Sequence, residues 1–141
     1  MSQFGIGVMI NMLSANEEST GENFQSAINK EISKLIIDPE YNFGDGGLVI
    51  TFTDKSGIVI YDAGRSCCES RWMHTDDELS AFVGAKLLDA EIRKGSVDES
   101  DYEYKESQFI IVKTSLGEFT LVNYNEHNGY YGGFWLVVES F

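Results

Sequence analysis

The sequence predicts an α+β fold dominated by antiparallel β-sheet, and three observations point to it. Residues 48–53 and 58–61, and again 109–112 and 119–124, are short β-branched and aromatic runs joined by Asp/Gly- or Ser/Gly-containing turns, the pattern of two β-hairpins. Phe24, Ala27 and Ile28, and later Leu79, Phe82 and Val83, fall at helical spacing over short stretches. These two helical segments and the strands that follow match at a fixed offset of 55 residues, which suggests a helix-plus-three-strand unit used twice, with one terminal strand added.

Taken in order, residues 4–13 are apolar but interrupted by Gly5 and Gly7, and fit either a buried strand or a short helix. Residues 14–21 read as a polar loop in which Thr20 caps a helix running to about Asn29. Ile32, Leu35, Ile36 and Ile37 form a strand stopped by Asp38-Pro39, and Gly44-Asp45-Gly46-Gly47 is a turn. After the first hairpin, Thr75-Asp76-Asp77-Glu78 supplies acidic N-terminal chemistry for the second helix, which Gly84 closes. Residues 87–92 are a strand, 95–104 a polar loop, and 134–139 the last strand after the second hairpin. The expected organisation is one domain over 1–141: an N-terminal extension (1–21), a first unit (22–63) and a second unit with the terminal strand (64–141).

Charge narrows the range of partners. Ten Lys and Arg stand against 23 Asp and Glu, a net charge of −13, so neither direct nucleic-acid binding nor an anionic membrane is expected. The two cysteines, Cys67 and Cys68, are adjacent, where a disulfide would be strained, and read as free thiols of a reducing compartment. The apolar N-terminal run lacks a cationic lead and is too short to span a bilayer, so a cytoplasmic protein is expected.

Catalytic signatures are sparse. His74 and His127 have no Cys or carboxylate at metal-ligand spacing, and no nucleophile elbow, phosphate loop or dinucleotide fingerprint occurs. No enzyme activity, metal or cofactor is expected. Two segments stand out instead. Residues 61–72 carry Arg65, Arg71 and Trp72, and read either as a loop with solvated arginines or as a recognition loop in which two guanidinium groups pair with phosphate oxygens beside a stacking ring. Residues 123–133 hold the tight-turn pair Asn128-Gly129 followed by Tyr130 and Tyr131, suited either to a packed turn or to stacking on a base and reading its edge.

Cys67-Cys68-Glu69-Ser70, then Phe82-Val83-Gly84, Leu87 and Ala90-Glu91, then Asn128-Gly129-Tyr130-Tyr131 together resemble the signature of a phage and prophage family that includes the first-described Thoeris anti-defence proteins. The resemblance covers roughly residues 60 to 135. It implies an oligomeric sponge that sequesters a cyclic ADP-ribose-type immune signal without cleaving it, in the cytoplasm of the host. The sequence departs from the pattern at Gly64-Arg65-Ser66, where relatives often carry an acidic residue before the Cys pair, and at His127, where they carry Ser. No Arg lies in residues 120–123.

The expected function is therefore stoichiometric capture of a cyclic nucleotide-type small molecule by a homo-oligomer. Arg65, Arg71 and Arg93 would meet phosphates, Trp72, Tyr130 or Tyr131 would stack on bases, and Asn128 would bond an edge or order the turn. The alternative is an acidic protein-binding inhibitor of a host protein that imitates nucleic acid, with residues 76–78 and 98–103 as its carboxylate rows.

Overall fold

The computed structural model describes residues 3–5, 18–64, 69–100, 103–128 and 133–141. In chain order the elements are β1 (Gln3–Gly5), α1 (Glu18–Ala27), β2 (Ile32–Asp38), a single turn α2 (Tyr41–Gly44), β3 (Gly47–Phe52), β4 (Gly57–Asp62), β5 (Ser70–His74), a 3₁₀ turn (Leu79–Phe82), β6 (Leu87–Ser100), β7 (Glu103–Thr114), β8 (Gly117–His127) and β9 (Leu136–Ser140). The sheets run β2-β3-β4-β9 and β1-β6-β7-β8-β5, and every pairing is antiparallel. The mostly antiparallel α+β class is as the sequence predicts.

The same order of elements, a helical turn and then a three-strand meander, occurs twice. Each meander is completed by a strand distant in sequence: β5, which follows the first meander, pairs with β8, and β9, which follows the second, pairs with β4. Where the two halves cross, the Asn29 N–H donates to the Leu87 carbonyl (2.7 Å), Leu87 to Lys30 (3.1 Å), Ile32 to Ala85 (2.8 Å) and Gly84 to Ile32 (2.8 Å). These bonds pair the backbone groups of the two chain segments that follow the helical elements.

Period-two alternation sends one face of each sheet inward. Leu48, Ile50 and Phe52 of β3, Ile58 and Ile60 of β4, and Leu136 and Val138 of β9 meet Ile110 and Val112 of β7, Phe119 and Leu121 of β8, and Leu87, Ala90 and Ile92 of β6 in one core. Helix α1 adds Phe24 and Ala27 to it. Asn23 ties α1 to the edge strand β9, its Nδ2 donating to the Val138 carbonyl at 2.8 Å, so this edge is covered rather than open to another strand.

Several elements differ from the sequence expectation. Helix α1 begins at Glu18, inside the stretch read as a loop. The second helix is only a 3₁₀ turn, held between extended Glu78 (φ −83°, ψ 100°) and extended Val83 (φ −66°, ψ 133°). Its expected acidic lead is used elsewhere: the Asp77 carboxylate accepts the Thr120 N–H at 2.7 Å, and Asp76 meets His74 Nε2 at 2.8 Å. Within the polar stretch 95–104, residues 95–100 and 103–104 are strand rather than loop, since β6 and β7 pair out to Ser100 and Glu103 past a register shift between Lys94 and Val97. Strand pairing by backbone alone carries this arm beyond the apolar core, which is why its side chains read as polar.

The first hairpin turn is pinned by charge. The Asp54 carboxylate accepts the Ser56 hydroxyl (2.5 Å) and N–H (3.0 Å) and pairs with Lys30 (3.1 Å). The Ser56 hydroxyl bond, then the Ser56 N–H and Lys30, lower its pKa from 3.8 to about 2. A depressed carboxylate contributes stability above its unfolded pKa and loses it as pH falls through the folded one. Asp54→Asn is therefore expected to lower stability at neutral pH, with the difference from the parent shrinking between pH 3.8 and about 2. Urea unfolding across that range checks it; a difference of constant size would contradict the assignment.

Candidate functional site

The two segments singled out in the sequence come together as neighbouring strands. β5 lies along β8 with Ser70 opposite Glu126, Arg71 opposite Asn125 and Trp72 opposite Tyr124. Residues 70–72, read as a loop, are therefore sheet.

Inward of this pair, the alternation that supplies Phe119 and Leu121 continues as Asn123, Asn125 and His127, all buried. Arg71, also buried, lies among them. Its Nη1 donates to Asp62 Oδ2 (2.7 Å) and to the Gly133 carbonyl (2.9 Å), while Nε and Nη2 hold the two oxygens of Glu69 (2.9 and 3.0 Å). Burial works against the charged guanidinium, but the bonds to Glu69 and the charge and bond of Asp62 outweigh it and raise the Arg71 pKa. Asp62 Oδ1 accepts the N–H groups of Gly64 (3.1 Å) and Trp135 (2.9 Å). Glu106 joins the same assembly, its Oε2 accepting the Gly133 N–H (2.8 Å) and its Oε1 meeting His127 Nε2 (3.0 Å). Gln108 Nε2 donates to Asn123 Oδ1 at 3.0 Å. This buried polar network locks the chain leaving β4 to the chain entering β9.

Of the residues expected to bind ligand, Arg65, Tyr130 and Tyr131 lie outside the described residues, as does the Cys67-Cys68 pair. Asn128 is exposed at the end of β8. Arg71 is committed to the network just described and does not face a phosphate site. Arg93 sits on β6 opposite Phe109, beside Glu91 (3.7 Å), on the outer face of the sheet. Strands β5 and β6 are separated by β8 and β7, about 14 Å at normal strand spacing. The structure thus does not bring Arg71 and Arg93 together. The two acidic stretches also stay apart: Asp77 bonds Thr120 near the start of β8, while Asp98 pairs with Lys105 near its end, about 20 Å along the strand.

Trp72 does face a distinct surface, on the outer side of the five-stranded sheet. Its ring stacks on Tyr124 with centroids 5.0 Å apart and planes at 21°. Lys105, one strand over, places Nζ 5.0 Å from the Tyr124 ring and 5.6 Å from the Trp72 ring. Next to this stack runs a groove of about 310 Å³ lined by Ser96, Asp98, Lys105, Ser107, Phe109, Val122 and Tyr124. Flat rings, one cation, one carboxylate and two hydroxyls converge there, a set suited to a small polar ligand with an aromatic part and an anionic part. Sequence reasoning singled out Trp72 but missed Tyr124 and Lys105. Alternation along residues 119–127 was the available signal, since it puts Thr120, Val122 and Tyr124 on one face and Asn123, Asn125 and His127 on the other.

Among the described residues no three His, Cys, Asp or Glu side chains gather as metal ligands, and no helix is long and apolar enough to cross a membrane. Residues 25–137 match a protein family described as a domain of unknown function (DUF7448). No curated protein and no solved structure matches.

Proposed function

The chain belongs to the DUF7448 family, and we propose that it captures a nucleotide-type small molecule stoichiometrically, without cleaving it, on the outer face of the five-stranded sheet. The observation that carries this reading is the Trp72–Tyr124 stack with Lys105 above it, at the side of a groove of nucleotide size. A base would lie against Tyr124 and Phe109, Lys105 would meet a phosphate, and Asp98 with Ser96 and Ser107 would accept or donate to sugar hydroxyls. The resemblance of the Cys67–Ser70 and Asn128–Tyr131 motifs to Thoeris anti-defence proteins supports a cyclic ADP-ribose-type signal as the ligand and inhibition of a bacterial defence as the purpose.

Sequestration needs affinity and retention rather than chemistry. His127 is buried in the polar network against Glu106, which suits holding a structure. Arg71 acts on this reading as a positioning residue, since it anchors the start of β5 to Asp62 at the end of β4 and to the Gly133 carbonyl, and so holds Trp72 in place opposite Tyr124.

Stacking on an aromatic side chain contributes about 1–3 kcal/mol per base. Tyr124→Ala is therefore expected to weaken binding of cyclic ADP-ribose about tenfold or more, and Lys105→Ala about fivefold or more. Fluorescence titration of a Trp135→Phe background, which leaves Trp72 as the reporter, measures both. Unchanged affinity in the two variants would contradict the placement of the site.

A further inference from the structure

We propose that the hollow beneath Tyr41, on the outer face of the four-stranded sheet, is a second binding site, for an organic ammonium ion carrying a small apolar body. The inference is independent of the groove beside Tyr124, which lies on the other sheet.

The hollow measures about 350 Å³, with Val49 and Val59 among its lining, the Tyr41 and Phe141 rings as walls, and Asp38 and Glu139 as its charged groups. Every charged side chain lining it is a carboxylate. Both phenols of the neighbouring tyrosine pair donate to Glu139, Tyr61 to Oε1 at 2.9 Å and Tyr41 to Oε2 at 3.1 Å. Burial, then the bond to Glu139 and its charge, raise the Tyr41 pKa, so the phenol stays a neutral donor at physiological pH. The Tyr41 and Tyr61 ring centroids are 5.0 Å apart with planes at 53°, and of the two it is the Tyr41 ring that lines the hollow, where a cation can meet it. A hydrated metal ion gains nothing from the valines and rings. An ammonium with an attached hydrocarbon body matches the carboxylates, the ring faces and the apolar surface at once.

The backbone is shaped to build this hollow. Asn42 (φ 53°, ψ 55°) and Phe43 (φ 60°, ψ 27°) are consecutive non-glycine residues in left-handed conformation, which crowds the Cβ against the backbone. The turn is held by the Gly46 N–H on the Tyr41 carbonyl (2.9 Å) and by Asn42 Nδ2 on the Asp62 carbonyl (3.1 Å). It folds Tyr41 back over the sheet, where its ring lies on Gly47, whose missing Cβ would sit 3.2 Å from that ring. Phe141 likewise lies against Gly57, where a Cβ would collide with its ring. Strain of this kind persists where surrounding structure enforces a useful geometry; here it lays the Tyr41 ring down at an anionic cavity lined by Val49 and Val59.

Phenethylammonium chloride and tetramethylammonium chloride are the probes, titrated at constant ionic strength and followed by methyl NMR. Sodium phenylacetate, of like shape and opposite charge, is the control. Saturable shifts at the Val49 and Val59 methyl groups are expected with both ammonium ions and not with phenylacetate. Glu139→Gln and Tyr41→Ala are each expected to weaken phenethylammonium binding about fivefold or more, with core methyl resonances in place to show that the fold persists. Absence of saturable shifts, equal binding of phenylacetate, or undiminished affinity in Glu139→Gln would each overturn the proposal.

Discussion

Replacing Arg71 with alanine is expected to cost about 3–5 kcal/mol of folding stability, a large share of the roughly 5–15 kcal/mol a domain possesses. The side chains of Arg71 and Asp62 are only 3% and 1% exposed, and that of Glu69 only 1%. Removing the guanidinium takes its charge and its bonds from two buried carboxylates, and the cost of leaving them under-compensated, more than the loss of attraction, sets the size of the effect. The Gly133 carbonyl loses one of its donors as well, leaving Asn125 Nδ2 at 3.1 Å.

Two companion variants separate this mechanism from simple loss of packing. Arg71→Lys keeps the charge but cannot span Asp62, both oxygens of Glu69 and the Gly133 carbonyl from one planar group, so it should recover only part of the loss. Adding Asp62→Asn to Arg71→Ala should restore some stability. Asparagine Oδ1 still accepts from Gly64 and Trp135, while the stranded charge is gone. Equilibrium urea unfolding at neutral pH measures all three. A loss below about 1 kcal/mol for Arg71→Ala would show that the carboxylates find other partners.

Phe119→Ala is expected to be as damaging, at about 3–5 kcal/mol. Phe119 is fully buried where β8 starts, opposite Val112 of β7, and its ring meets Phe82 at 5.0 Å and 51°. Phe82 belongs to the 3₁₀ turn, which has few internal bonds of its own and depends on this contact for its place. The variant should therefore lose the turn as well as the cavity volume. Phe119→Leu, which fills most of the space, should cost far less. Thermal unfolding with hydrogen exchange at Ala81 and Val83 reads both consequences, since their N–H groups bond within the turn region. Retained protection there alongside a large drop in stability would separate the turn from the ring.

The core was legible in the sequence because apolar alternation is a strong local signal: Leu48, Ile50 and Phe52 announce a half-buried strand without reference to anything distant. The repeated unit was legible for the same reason. What sequence did not reveal was which half each closing strand joins. β5 pairs with β8 and β9 with β4, contacts across some 50 to 80 residues that leave no local trace. The polar interior was hidden by a related cause. Arg71, Asn123, Asn125 and His127 look like surface residues one at a time, and only their period-two continuation of Met73, Phe119 and Leu121 marks them as inward-facing. Read from the sequence alone, Arg71 therefore resembles a ligand contact, although its partners Asp62 and Glu69 lie nine and two residues away in the same segment.

The candidate groove escaped for another reason. Tyr124, Lys105, Phe109 and Asp98 come from three strands and share a surface only because β6 and β7 pair beyond the core, in a stretch whose polar composition resembles a loop. Trp72 was visible as a lone aromatic; its partner was not.

Isothermal titration of the purified protein with cyclic ADP-ribose, linear ADP-ribose and cyclic dinucleotides, followed by mass analysis of the ligand recovered after denaturation, tests the central claim most directly. Capture without chemistry predicts saturable heat at a fixed ratio of ligand to chain for at least one of these nucleotides, and recovery of that nucleotide at its original mass. No saturable heat from any of them, or a recovered ligand of altered mass, would contradict it.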